Sequence, residues 1–305
     1  MLIDAGPTDS GQIVAQYLRN QGISTIDIVV ATHPHEDHIG GMSTVLNGFA
    51  VKQFIDSGYP HTTSTYENML NIIDQKNIQF LTVTSGDTIS LDPALTIKVL
   101  NPQTTFSSDI NQNSIVLKIT YGKVTYLFTG DAGGDAESQY MNAAGHADLL
   151  KVAHHGSSTS SSSTFLSHIT PAVSVIEVGA GNSYGHPAAS TLKRLEQIGS
   201  KVYRTDLSGT IKITSDGNTY SVSTAKTTVA ASTTSSATQN QITTQPVSGS
   251  TGTVVCDCSY NRYNCADFPT RAGAQACYDY CEALGKGDVH RLDGDNNGKV
   301  CESKS

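Results

Sequence analysis

The first 255 residues contain no cysteine; all six lie between Cys256 and Cys301. That segregation rules out a disulfide scaffold for most of the chain. It marks instead a small stapled module at the end of an exported protein, since disulfides persist in oxidising compartments. Excess positive charge is also missing. A net charge of −8 gives no electrostatic footprint for nonspecific nucleic-acid binding and weighs against a large basic surface, so a polyanionic substrate is expected to be held by metals or local donors. No run of about 20 apolar residues occurs, and these residues hold neither a membrane span nor a signal peptide. Charged residues are sparse at 15% against 37% hydrophobic, a globular composition. The 305 residues accommodate one sizeable αβ domain plus something small. Internal repeats are absent. Met1-Leu2-Ile3-Asp4-Ala5-Gly6 reads as mid-strand, so further strands and a signal or anchor are expected ahead of it, with an extracellular or cell-surface location.

The most informative stretch is Thr32-His33-Pro34-His35-Glu36-Asp37-His38-Ile39-Gly40-Gly41. The run Ile26 to Ala31 is short, apolar and β-branched, a buried strand that delivers these side chains to a sheet edge. His33 and His35 alternate along extended backbone and project to one side, while Asp37 and His38 open a helix expected to continue through Asn47. Imidazole nitrogen and carboxylate oxygen suit zinc, manganese or iron. Four such donors exceed what one open catalytic site takes from one segment, which favours two metals.

The remaining pattern is layered αβ. Ile13, Val14, Tyr17 and Leu18 share a helical face expected to cover a sheet, with Asp9 or Ser10 as cap and Gly22 as stop. A strand at Val51 to Ile55 and a helix carrying Tyr66, Met69, Leu70 and Ile73 follow. Strands come next at Gln79 to Val83 and Leu95 to Leu100, then a hairpin at Ser114 to Thr120 and Val124 to Thr129. The alternation continues with Leu149 to Ala153, Phe165 to His168, Val173 to Val178 and Ala188 to Ile198. A hairpin at Thr210 to Thr214 and Thr219 to Ser223 closes it.

Three further strand ends carry chemistry. Leu127-Phe128-Thr129-Gly130-Asp131 frees a carboxylate from the sheet edge. Leu149 to Val152 leads into Ala153-His154-His155-Gly156-Ser157, where neighbours on a strand point to opposite sides. One of His154 and His155 is therefore expected to ligate while the other orients it or meets substrate; which one stays open. Asn182-Ser183-Tyr184-Gly185-His186-Pro187 makes a loop in which His186 can ligate, act as acid or hold a phosphate oxygen, and Tyr184 can donate to a leaving group. His61, His146, His168 and His290 lie outside such motifs and read as surface residues.

The histidine-rich loop resembles the metal-binding signature of the metallo-β-lactamase superfamily. With Thr-Gly-Asp, His-His-Gly-Ser and Asn-Ser-Tyr-Gly-His-Pro, residues 1 to 224 resemble its ComEC-type group, the hydrolase domains of DNA-uptake proteins. The resemblance implies an αββα sandwich, an α/β (α+β) fold truncated at its N-terminus. In it His33 and His35 serve one metal, Asp37 and His38 the second, Asp131 bridges both, and Asp4 supports the site from behind. Other superfamily members carry another histidine ligand just before the Thr-Gly-Asp hairpin. Here the chain reads Asn111-Gln112-Asn113-Ser114, as the ComEC-type group also has asparagine there. This leaves the His33/His35 metal short of a protein ligand, with Asn113 as the expected source of an amide oxygen.

Residues 226 to 255 are rich in Ser and Thr and nearly devoid of large apolar residues, a linker that cannot order itself. In the tail, 256 to 305, Asp293, Asp295 and Asn297 stand at positions one, three and five of an EF-hand-like spacing. Gly298 is at six, the Lys299 carbonyl at seven, and Glu302 at ten where twelve is usual. Calcium is the expected ion. The tail resembles the Excalibur extracellular calcium-binding domain, which implies a Cys265–Cys301 pair and leaves Cys256, Cys258, Cys277 and Cys281 open. Association with a cell wall or surface would run through this module.

These readings give a hydrolase over residues 1 to 225 with two zinc or manganese ions, acting on DNA or another phosphate ester. Asp37 or the nonligating member of the His154/His155 pair passes protons. Hydrolysis of a lactam, lactone or thioester would use the same metals. A noncatalytic calcium-dependent surface-binding protein is the reading from another class.

Overall fold

The computed structural model describes residues 1–226 together with Ala274, Gln275, Cys277, Tyr278 and Val300. The chain divides into two compact units, Met1–Thr228 and Val229–Ser305. In the second, Ala274, Cys277 and Val300 are buried, the Val300 N–H donates to the Gln275 side chain at 3.1 Å, and Cys277 is disulfide-bonded. The linker expected from 226 to 255 lies, past Lys226, outside the described residues, as do the Cys265–Cys301 pair and the calcium ligands Asp293, Asp295, Asn297, Lys299 and Glu302.

The first unit is built on two sheets. One is parallel, in the order β1 (Leu2–Ile3), β2 (Thr25–Ala31), β3 (Ala50–Asp56), β4 (Gln79–Thr82). The other joins the parallel strands β11 (Lys201–Arg204), β10 (Val173–Ile176), β9 (Leu149–Lys151) and β8 (Val124–Phe128). It continues through the antiparallel β7 (Val116–Tyr121), β6 (Leu95–Asn101) and β5 (Thr88–Ile89). A hairpin, β12 (Ile211–Ser215) and β13 (Tyr220–Thr224), forms a separate sheet that packs Ile213, Tyr220 and Val222 against Val124, Leu149 and Val173.

Period-two alternation sorts the apolar side chains into layers. Ile28, Val30 and Ile55 face Ile97, Val99 and Leu117 between the sheets. Their neighbours Val29, Ala31 and Phe54 face outward onto α1 (Gly11–Asn20), α3 (Met42–Gly48) and α4 (Ser64–Gln75). On the other side Val116, Leu127, Leu150 and Ile176 pack on α5 (Asp135–Ala144), α6 (Ser163–Ile169) and α7 (Ala189–Gln197). The result is helix, sheet, sheet, helix. A short α8 (Thr205–Ser208) follows β11.

Two expectations need correction. Ile13 and Tyr17 are 71% and 44% exposed; the packed face of α1 is Gly11, Val14, Ala15 and Leu18, one residue around the helix from the expected stripe. The helix opened by Asp37 and His38 stops at Ile39 (α2, Glu36–Ile39), and α3 starts afresh at Met42. The break lies at Gly40-Gly41, where the loop after β1 presses in. A Cβ on Gly41 would sit 2.3 Å from the Ala5 carbonyl oxygen, and one on Gly40 2.4 Å from the Thr8 nitrogen. The glycines thus serve contact between the histidine-rich loop and β1, which is what places Asp4 behind it.

Asp56, at the end of β3, is 2% exposed. It accepts hydrogen bonds from the Gly58 N–H at 2.7 Å and the Tyr66 hydroxyl at 3.4 Å. Burial pushes its carboxyl up from 3.8 to about 6. A raised acid binds its proton more tightly folded than unfolded, so its contribution to stability falls as pH rises from about 4 to about 6 and is flat above. Asp56→Asn, which keeps the acceptor, should therefore gain stability over wild type across that window, levelling at up to about 3 kcal/mol. Urea denaturation of both proteins from pH 4 to pH 8 checks this; a difference independent of pH contradicts it.

Candidate metal centre

Every chemistry-bearing loop leaves the carboxyl end of a strand. Asp4 follows β1, the histidine-rich loop follows β2, Asp131 follows β8, His154 and His155 follow β9, and His186 lies in the loop after β10. Asp4 adopts a left-handed conformation, φ 55°, and its carboxylate accepts the Thr32 N–H and hydroxyl, both at 2.8 Å. The same carboxylate meets His38 Nδ1 at 2.7 Å. Asp4 thereby fixes the tautomer of His38 and turns its Nε2 the other way.

Asp131 lies where the loops converge. Its carboxylate is 3.4 Å from His38 Nε2 and 3.9 Å from His33 Nε2, with His155 and His154 Nε2 at 3.7 and 3.9 Å. Gly130, at φ +50°, lets this turn close up; a Cβ there would meet the Ser114 Cβ at 2.8 Å and the Thr32 Cβ at 3.0 Å. His35 approaches from the His33 side, its Nδ1 3.0 Å from His33 Nε2. On the other side His155 Nδ1 donates to the Glu177 carbonyl at 2.7 Å, which leaves Nε2 at 3.2 Å from Asp37 Oδ2. Asp37 Oδ2 is in turn 3.8 Å from His38 Nε2.

Two sets of donor atoms result, each within 4.8 Å: His33, His38 and Asp131, and Asp37, His38 and His155. The fit to metal is tested by what is left over. His38 Nε2 and Asp131 Oδ1 are buried with no hydrogen-bond partner, a costly state for polar atoms unless a cation satisfies both. The electrostatics agree. Burial drives the His33 imidazole down to about 3, which keeps it neutral. Burial would lower His38 too, but the Asp4 and Asp131 carboxylates overcome it and raise His38 to about 10 without metal. Asp131 and Asp37 are held well below the usual carboxylate range; burial opposes this and the surrounding imidazoles prevail. A pocket of carboxylates lined by imidazole suits divalent zinc or manganese.

The structure revises the expectation for His154 and His155. Both have left-handed backbone, φ 50° and 52°, in a tight turn past the end of β9, so strand alternation does not apply and both rings reach Asp131. His155 stands in the Asp37/His38 set. The His154 ring contacts that of His186, centroids 5.6 Å apart, and His186 stacks against Tyr184 at 6.0 Å. Tyr184 is 82% exposed, at the mouth. Asn113 does not face this centre. Its amide oxygen accepts the Ser107 N–H at 2.8 Å and its amide nitrogen donates to the Ser107 and Asp109 carbonyls. A buried amide so occupied is a loop staple, not a ligand.

Three participants were not foreseen. Thr32 carries the link from Asp4 to the loop, and its signal is a polar residue ending an apolar strand. Lys151 is buried behind the cluster, its Nζ 3.5 Å from Glu177 Oε2. Burial would discharge it, but Glu177, Asp131 and Asp4 keep it charged. Its signal is a lysine inside Leu149-Leu150-Lys151-Val152-Ala153. Asn111 lines the cleft with His35, Asp37, Asp131, His154 and His186, and nothing but its neighbourhood in sequence marks it.

Replacing Asp4 tests the support. Asp4→Ala removes the acceptor on His38 Nδ1, and partners of this kind carry about 10- to 100-fold in metal affinity. Competition against a chelator should show a loss of that order with an unchanged far-ultraviolet spectrum, and unaltered affinity would remove Asp4 from the site.

Comparison with known proteins agrees with this geometry. Residues 1–176 match the description Metallo-beta-lactamase superfamily. The chain is 30% identical over 204 residues to ComE operon protein 3 of Bacillus subtilis, covering 66% of this chain and 26% of that protein. It is 28% identical over 218 residues to Recombination protein 2 of Haemophilus influenzae, covering 70% and 26%. It is 29% identical over 216 residues to Competence protein ComA of Neisseria gonorrhoeae, covering 70% and 29%. The chain thus spans little more than a quarter of the length of these curated relatives. The matched residues run from the Asp4 support to the strand beneath the last loop, and on that extent the chain belongs to the metallo-beta-lactamase superfamily.

Proposed function

We propose that residues 1 to 225 form a two-metal hydrolase of phosphate esters, with DNA among its substrates. One observation carries the reading: a buried Asp131 carboxylate within 4 Å of four imidazoles, on two sides, with partnerless atoms between them. Metal-dependent hydrolysis is the usual activity of this family. The names of the relatives, a competence protein, a ComE operon protein and a recombination protein, support placing that chemistry in DNA uptake. Zinc is the usual family metal, and manganese suits the same donors.

His33, His35 and Asp131 would hold one cation, and Asp37, His38, His155 and Asp131 the other. Bound there, the pair supplies Lewis acidity toward the ester oxygens and toward a nucleophilic water. The side chains do the rest. Asp4 holds the proton on His38 Nδ1, and the Glu177 carbonyl holds that on His155 Nδ1, so both Nε2 atoms stay available as donors. Asp37, half exposed beside His155, accepts the proton that water gives up. His186 would supply one to the departing oxygen, with its backbone fixed by the Asn182 amide at 2.7 and 3.0 Å and the Tyr184 ring stacked on it. At a net charge of −8, affinity for a polyanion falls to these local groups.

The C-terminal module belongs to the same proposal. We take Asp293, Asp295, Asn297, the Lys299 carbonyl and Glu302 as a calcium site of an extracellular protein, one able to associate with a wall or surface. Calorimetric titration of the full chain should find one calcium site lost in Asp293→Ala; no heat in wild type would dismiss it.

The catalytic proposal is checked by assaying metal-loaded protein on single-stranded DNA, a simple phosphodiester and a chromogenic lactam side by side. Both phosphate esters should turn over, the lactam should not, and Asp131→Asn should lose orders of magnitude in rate along with at least one metal. Lactam turnover alone would move the chain to the other hydrolase class. Inertness toward all three, with metals bound, would favour the noncatalytic reading.

A further inference from the structure

The turn Asn111-Gln112-Asn113-Ser114 leads into the strand beside Asp131, and its four side chains divide their work unequally. Asn113 staples the loop at 107 to 109. Gln112 accepts the Ala136 N–H at 3.0 Å, holding the start of α5. Ser114 donates its hydroxyl to the Asn111 carbonyl at 2.8 Å and accepts the Asp131 N–H at 3.1 Å. The Asn101 amide donates to the Gln112 and Ser114 carbonyls, both at 2.8 Å. The Asn111 side chain is the exception: its oxygen is buried with no hydrogen-bond partner among the described residues.

Asn111 lines the same cleft as His35, Asp131 and His154. Burying an amide oxygen without a donor is costly. In this region the state is shared by His38 Nε2, Asp131 Oδ1, His186 Nδ1 and, behind the cluster, Lys151 Nζ; the first two are donor atoms of the clusters around Asp131. The Asn111 main chain is pinned as well, its N–H donating to the Asp109 carboxylate at 3.0 Å and its carbonyl tied through Ser114 to the Asp131 backbone. A buried acceptor on a pinned main chain, left without a partner in the cleft of the Asp131 cluster, is arranged to meet a cation.

We propose that the Asn111 amide oxygen is a protein ligand of the metal held by His33, His35 and Asp131, filling the place that an imidazole takes in other superfamily members. This rests on the two-metal reading above. The chemistry has a consequence: carbonyl oxygen suits manganese better than imidazole does, and imidazole suits zinc, so this one residue biases the metal preference of one site of the pair.

The test reads metal binding without substrate. Full-length wild type, Asn111→Ala, Asn111→His and Asn113→Ala are titrated with manganese and with zinc against a chelator, and their cobalt(II) forms are compared by visible absorption. Wild type should bind two metals. Asn111→Ala should keep one at wild-type affinity and weaken the other tenfold or more. Asn111→His should regain the second site, shift its preference at least tenfold toward zinc, and alter the cobalt spectrum. Asn113→Ala, where the fold persists, should leave the cobalt spectrum of both sites as in wild type. Two metals of unchanged affinity and spectrum in Asn111→Ala would overturn the assignment, as would a wild-type chain with no second metal. Two tight metals with no hydrolysis of any phosphate ester would instead sink the proposed reaction and leave this ligand standing.

Discussion

A carboxylate buried beneath imidazoles governs this structure. Asp131 can sit at 2% exposure only if positive charge or donors surround it, because an isolated buried charge costs far more than a domain can spare. The fold meets that demand by bringing strand ends from both sheets to one edge. β1 and β2 carry Asp4, Thr32, His33 and His38, while β8 and β9 carry Asp131, His154 and His155. No single element holds enough donors, so the centre exists only when the sheets are packed through Ile28, Val30, Ile97 and Leu117.

Burial and proton binding then work against one another in a way that a cation resolves. His33 is driven down by burial and His38 is pulled up by Asp4 and Asp131, although the two rings lie 4.1 Å apart. A proton on His38 is the stand-in available to a metal-free chain, and it repels a second proton on His33. Divalent ions replace that arrangement with charge placed between the donors. Metal and proton therefore compete at His38, and affinity rises with pH wherever that proton must be displaced.

Much of this was legible in sequence because it is local. The strand Ile26 to Ala31 and the loop after it, the Thr-Gly-Asp turn and the paired histidines all pair a short apolar run with chemistry at its end, and the structure gathers them at one edge. What could not be read depends on contacts far apart in the chain. The break at Gly40-Gly41 comes from the loop after β1, and the packed face of α1 is set by α3 rather than by the most hydrophobic stripe. His154 and His155 escape strand alternation through left-handed backbone. Asn113 and Asn111 are indistinguishable as letters two apart; only the hydrogen bonds of the loop at 107 to 109 show which amide is spent and which is free to face the cleft.

The account stands or falls on two cations sharing Asp131. X-ray absorption at the metal edge of the fully loaded full-length protein addresses this directly, because it registers both the nitrogen and oxygen neighbours and any second metal nearby. The account predicts a metal–metal scattering path at about 3.5–4 Å together with imidazole scattering. Isolated metal surrounded by light atoms alone, at a loading of two per chain, would contradict it.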